Sequence, residues 1–145
     1  MAETISIGNT GEYFTAGELE RHGFTAAIPM SNVKDFDILA IHRETHKMFA
    51  IQVQTTNGKK NEWTLNRKCE SLAEDHVIYF FVKLNDLQPP EYHIVPSRIV
   101  AETVKKDHQE WLNTPGLHGQ AHNDNNIRKF RDPDDEFLDR WDYLE

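Results

Sequence analysis

DILAIHRETHKMFAIQVQTT, Asp37 to Thr56, alternates apolar with polar or small residues on both sides of a short polar interruption. This is the pattern of two half-buried strands joined as a hairpin. β-Branched Ile38 and Ile41 mark the first run, residues 36–42, and Ile51 and Val53 mark the second, residues 48–55. Residues 43–47 have the length of a hairpin connection but contain no Asn-Gly or Asp-Gly pair. Because strand side chains alternate faces, Asp37, Leu39 and Ile41 share one side of the first strand. Ala50, Gln52 and Gln54 share one side of the second. If those sides coincide, one carboxylate and two side-chain amides converge. Asp37 begins an apolar run and needs solvent or a partner there, which favours a site role over a turn or strand-edge role beside Lys34 and Asp35.

Outward from the hairpin, residues 10–22 predict a helix with Tyr13, Phe14, Ala16, Gly17 and Leu19 on its apolar side and Gly23 to stop it. Residues 24–30 predict a first strand that Pro29 limits to an edge or an end, followed by a polar turn at 31–35. Residues 56–62 form a loop and 63–75 a helix with a thin apolar side. Residues 77–84, VIYFFVKL, read as an interior strand covered on both faces. After Gln88, Pro89 and Pro90, residues 92–95 read as a further strand. A helix carrying Ile99, Val100, Val104 and Trp111 follows Pro96 and Ser97. Residues 113–126, rich in Gly, His, Asn and Pro, describe a long surface loop. Asp132 and Pro133 have the form of a cap and first position of a closing helix that would bury Phe137, Leu138, Trp141 and Leu144 on one side. The acidic run Asp132, Asp134, Asp135 and Glu136 would then suit the helix dipole. There is no internal repeat. The order of elements predicts one α/β sandwich over residues 1–145, with a loop-and-helix extension from about residue 113.

The 145 residues suffice for one hydrophobic core. A formal net charge of -8 opposes a broad nucleic-acid footprint, which needs a basic surface. A local exception follows the hairpin, where Lys59, Lys60, Arg67 and Lys68 cluster. The single Cys69 excludes an internal disulfide framework and a cysteine-based zinc site. With no signal-peptide pattern at residues 1–8 and no apolar run of membrane length, the expectation is a cytoplasmic protein without a membrane partner. Whether it forms a homodimer or joins a larger complex stays open.

An acidic residue opening one strand of a hairpin, followed on the next by Glu-x-Lys or Gln-x-Lys, is the signature of the PD-(D/E)xK nuclease superfamily. Asp37 with Gln52, Val53 and Gln54 resembles it. Gln52 at the first position is similar to the Mrr-like restriction endonuclease branch, whereas Gln54 departs from it, standing where that branch would place its catalytic lysine. Upstream, Gly8, Asn9, Thr10, Gly11 and Glu12, then Leu19 and Gly23, resemble the superfamily's helix, with Glu12 at the matching acidic position. The resemblance covers residues 8–55. It implies a restriction-endonuclease-like three-layer sandwich, with a mixed central β-sheet flanked by helices. It further implies metal-dependent phosphodiester hydrolysis of the restriction or repair type, with nucleic acid as partner and Mg²⁺ or Mn²⁺ as cofactor. In that pattern Asp37 ligates the metal, Glu12 assists from the helix, and Gln52 offers only a neutral amide oxygen.

Competing readings remain at several of these positions. Asn9, Thr10, Gly11 and Glu12 also have the spacing of a capping box. A neutral Gln54 cannot act as a cation, so either Lys59, Lys60 or Lys68 replaces the lysine or the fold survives as a catalytically silent binding module. His118 and His122, spaced four apart near Asp124, match metal-ligand spacing only on a helix. Pro115, Gly116 and Gly119 favour a solvated loop instead. Trp111 and Trp141 sit at helical spacing with other apolar residues and are expected in the core rather than as base-stacking platforms. Cys69 has no evident base partner.

Overall fold

The computed structural model describes residues 4–30 and 36–145. Its elements are α1 (Thr4–Arg21), β1 (Phe24–Ala27), β2 (Ile38–His42), β3 (Met48–Thr56), β4 (Glu62–Asn66), β5 (Val77–Lys83), β6 (Glu91–Pro96), α2 (Ser97–Asn113) and β7 (Ile127–Arg131). Short 3-10 turns occupy Arg67–Glu70 and Trp141–Leu144. The main sheet has the order β1-β2-β3-β5-β6. It is mixed, because β3 and β5 are parallel while every other pairing in it is antiparallel. The hairpin expected at residues 37–56 is present, with Ile38 opposite Ile51 and Ile41 opposite Met48. β5 is buried from Val77 to Val82, as its unbroken apolar run requires of an interior strand.

The sheet separates two cores. On one face, Ile38, Ala40, Ile51, Val53, Ile78, Phe80 and Ile94 pack with Leu19 of α1. On the other, Tyr79, Phe81 and Val95 pack with Val100 and Val104 of α2 and with Trp63, Leu65 and Phe130 of the β4–β7 ribbon. The result is three layers: α1, the mixed sheet, and α2 with the ribbon. No helix among the described residues is long and apolar enough to cross a membrane.

Several expectations are corrected. The helix predicted at 63–75 is instead β4 and a 3-10 turn. Trp63 and Leu65 alternate inward and pair with β7, a strand far downstream that begins just after the expected loop. The closing helix from Asp132 and Pro133 does not form. The Asp132 carboxylate does cap, accepting the N–H groups of Glu136 and Phe137 at 2.9 and 3.0 Å, but Asp135 and Asp139 take φ near 54° and 53° and break the helical path. The segment runs beside β6, where Phe137 O accepts from Ile94 N and Asp139 N donates to Tyr92 O. Phe137 therefore enters the core on the α2 side and Leu144 the core on the α1 side, not one shared face. The strand predicted at 24–30 ends at Ala27. The turn predicted at 31–35 lies outside the described residues. Trp111 is 39% exposed and stacks on His122 rather than entering the core, whereas Trp63 is buried.

α1 differs from its expected face and start. It begins at Thr4 among the described residues, and its buried stripe is Gly11, Thr15 and Leu19, while Tyr13 and Phe14 are exposed. The capping box at Asn9–Glu12 is therefore ruled out, because those residues lie inside the helix. Gly23, at φ 94°, ends it as predicted. Gly11 is required for close approach: a Cβ there would collide with Thr55 Oγ1 and stand 2.8 Å from Thr55 Cβ and Cγ2 on β3. Gly11→Ala is expected to lower stability by about 1–3 kcal/mol, the usual cost of overpacking, in urea unfolding, whereas Gly17→Ala, with nothing within 4 Å, should be neutral or stabilising.

Candidate active site

The β2–β3 pairing ends, among the described residues, at Ile38 and Ile51. One residue further, Asp37 N–H donates to Ile51 O at 2.8 Å, so Asp37 and Ile38 both face Ile51 and the regular ladder stops there. Val53 N–H then has no strand partner, and Asp37 Oδ2 accepts it at 2.8 Å. Asp37 thus sits where the two strands part and replaces a missing ladder bond with its carboxylate. On β3, Gln52 and Gln54 share one face and lie beside Tyr79 and Phe81 of β5. Gln52 and Gln54 share one cleft, and Asp37 stands at the fork beside the β3 backbone at Val53.

Glu12 reaches the same place from α1. Burial is the main cause that pushes its carboxyl above the ordinary range, and the Asp37 charge adds to it. Burial likewise raises Asp37, with the Val53 N–H opposing. Tyr79, which walls the next cavity, is raised by burial and then by Cys69 and the Asp37 charge.

That cavity is a cleft of about 450 Å³ lined by Gln52, Gln54, Asn66, Lys68, Cys69 and Tyr79, with Leu65 and Leu72. Lys68 enters it through local sequence. Asn66 ends β4, and its side-chain oxygen accepts Lys68 N–H at 2.8 Å, starting the turn Arg67–Glu70. Cys69 anchors that turn in the core, its thiol pushed up to about 11 chiefly by burial, which leaves it a poor nucleophile. Glu70 closes the turn by pairing with Arg128 of β7, whose side chain is 3% exposed and whose Nη1 donates to Asn125 O and Ile127 O with Asp124 3.8 Å away. Lys60 stands elsewhere, close enough to Glu62 to lower its carboxyl, and both Lys59 and Lys60 are exposed. Of the three candidate replacement cations, the structure brings only Lys68 to the two glutamines.

A second group has little signal in the sequence. His93, Asp132 and Asp135 place ligand-type atoms within 4.8 Å of one another. His93 Nδ1 donates to Asp132 Oδ2 at 2.7 Å, so the Asp132 carboxylate receives three donors in all and serves as a turn cap. Only the capping character of Asp132 is visible in the chain itself. His118 and His122 are not gathered with other ligands among the described residues. His122 Nδ1 instead meets Trp111 O at 2.7 Å, pinning the loop to α2.

No protein-family model matches the chain, and no curated protein matches it. Among solved structures it is similar to the bacterial homing endonuclease I-Ssp6803I, at 8% identity and TM-score 0.60, over 99% of this chain and 92% of that one. It also aligns with Hjc of Archaeoglobus fulgidus, a Holliday junction resolvase from an archaeal hyperthermophile, at 14% identity and TM-score 0.49, over 86% and 84%. The likeness is one of fold, and the restriction-endonuclease-like α/β architecture expected from the sequence is the one observed.

The raised carboxyls have a measurable consequence. A carboxyl whose folded pKa lies above its unfolded value binds more protons in the native state, so stability falls as pH rises from the ordinary aspartate value of 3.8 through the folded value. Asp37→Asn, which keeps an oxygen for Val53 N–H, is therefore expected to be more stable than wild type at pH 7 and to lose that advantage below pH 4 in unfolding titrations. Glu70→Ala should act oppositely. It strips the carboxylate from the buried Arg128 and costs about 2–3 kcal/mol.

Proposed function

We propose that the chain hydrolyses phosphodiester bonds of nucleic acid in a metal-dependent reaction, with Lys68 supplying the cation that the resemblance would put at Gln54. The observation that carries this reading is that Lys68 lines the same cleft as Gln52 and Gln54, while the Asp37 charge acts both on Tyr79 of that cleft and on Glu12. The donor set suits a hard divalent ion such as Mg²⁺ or Mn²⁺: two carboxylates and an amide oxygen, with no thiolate. The mutual proximity and burial that disfavour ionisation of Glu12 and Asp37 are offset by a cation between them. Asp37 and Glu12 would hold the ion and Gln52 would add a neutral oxygen. When bound, the ion supplies charge stabilisation to the phosphate and acidifies a coordinated water.

The chain's own groups have separable roles. The Lys68 ammonium offsets charge developing on the scissile phosphate, which is worth most in a partly buried cleft. Gln54 donates from its amide to a phosphate oxygen or accepts from the attacking water, holding position without adding charge. A second reading draws on the same residues: neutral side chains at both 52 and 54 favour a fold kept for binding nucleic acid or a protein partner after catalysis was lost.

Cleavage of labelled single- and double-stranded DNA and RNA with Mg²⁺ or Mn²⁺ separates the two. Wild type is expected to cleave, with Asp37→Ala and Lys68→Ala each losing at least about 10²-fold in kcat, the scale of one electrostatic interaction with the transition state. Lys60→Ala should keep kcat. No cleavage by wild type, with activity gained in Gln54→Lys, would establish the binding module instead.

A further inference from the structure

The chain's net charge of -8 is unevenly distributed. Residues 57–68 and 127–131, which are the β4–β7 ribbon with its approach and following turn, contain Lys59, Lys60, Arg67, Lys68, Arg128, Lys129 and Arg131. They contain one acidic residue, Glu62. Seven of the 16 basic side chains and one of the 24 acidic ones therefore lie on a small part of the molecule, giving it a formal charge of +6. Arg128 is buried against Glu70 and Arg67 meets Asp124. This leaves Lys59, Lys60, Lys68, Lys129 and Arg131 as the exposed basic groups against Glu62, a patch that suits an anionic partner.

The ribbon's geometry says which anion. Its residues alternate strictly. Trp63, Leu65, Arg128 and Phe130 are buried, and the opposite face shows the cross-strand rows Glu62–Arg131, Thr64–Lys129 and Asn66–Ile127. The outer face thus presents Thr, Asn, Lys and Arg, the side chains that meet phosphates and base edges. It is continuous with the candidate site, because Asn66 at its end lines the cleft with Lys68. On the other flank, Lys129 and Arg131 border a cleft of about 290 Å³ against His108 and Trp111 of α2. Lys129 and Arg131 are 43% and 50% exposed, and share the single Glu62 carboxylate at 3.7 and 2.7 Å. One acidic group cannot neutralise both, which leaves net positive charge facing solvent.

We propose that the outer face of the β4–β7 ribbon docks duplex DNA in the major groove, with Lys129 and Arg131 on the backbone and Thr64 and Asn66 toward base edges, leading the duplex to the cleft at Lys68. A two-stranded ribbon fits the B-form major groove, whereas the deep, narrow major groove of A-form RNA excludes it. The choice of DNA as partner rests on the nucleic-acid reading of the cleft, but binding without metal can be read independently of cleavage.

The test is fluorescence anisotropy of a labelled random-sequence DNA duplex in chelator, with full-length protein carrying Asp37→Asn. The background variant is expected to bind, with affinity falling as salt rises. Lys129→Ala/Arg131→Ala should weaken binding by about tenfold or more and reduce the salt slope by about 2, one for each phosphate no longer neutralised. Arg21→Ala/Arg98→Ala, which removes two charges elsewhere, should change affinity less than about twofold. The matching RNA duplex should bind at least about tenfold more weakly than DNA. Absent duplex binding, equal losses in the two double variants, or equal affinity for the RNA duplex would each overturn the proposal. A ribbon that binds DNA in a protein that cuts nothing would leave the docking surface standing and remove only the hydrolase reading.

Discussion

The hydrogen bond from Val53 N–H to Asp37 Oδ2 is the interaction on which the arrangement of the molecule's polar cleft depends. A buried or half-buried backbone N–H must find an acceptor when its strand neighbour diverges. By supplying one from a side chain, Asp37 lets β2 leave β3 without an orphaned donor. The same bond holds the Asp37 carboxylate partly buried beside Glu12, which is why both carboxyls are raised instead of lying in the ordinary range.

Two further constraints surround that fork. α1 lies close enough to β3 for Glu12 to reach Asp37 because Gly11 has no side chain to hold it off Thr55. On the opposite layer, the turn carrying Lys68 is tied to the ribbon by the Glu70–Arg128 pair and to the core by Cys69. A buried arginine with one carboxylate and two carbonyl partners is costly to disturb, and its placement fixes the turn more firmly than the turn's own four residues can. Charge segregation then acts at longer range. The acidic groups lie mainly along α1, α2 and the C-terminal segment, leaving the ribbon as the basic part of an acidic protein.

Much of the sheet could be read from the chain. The alternation in residues 37–56 and the apolar run at 77–82 specify strand, face and burial locally, because strand periodicity is carried by adjacent residues. The shared face of Gln52 and Gln54 followed from the same two-residue period. The ribbon did not. Trp63 and Leu65 have too few neighbours to declare a strand, and the partner of Trp63, Phe130, lies at the far end of the chain. The C-terminal segment misled for a related reason: Asp132 and Pro133 carry a genuine capping signal, yet the strand-like pairing beside β6 and the left-handed Asp135 and Asp139 outweigh helix propensity.

What the sequence by itself determined was therefore local: the hairpin, the interior strand, α2, the stop at Gly23 and the shared face of Gln52 and Gln54. Tertiary structure alone decided that the helix bearing Glu12 already runs from Thr4, which removes the capping box, and that β4 joins β7. It also decided which lysine, Lys68 rather than Lys60, meets the glutamines. The physical reason is that periodicity and capping act between residues a few positions apart. The cleft, by contrast, is assembled by a strand divergence, a glycine-width helix approach and a buried ion pair between Glu70 and Arg128, none of which leaves a short-range pattern in the chain.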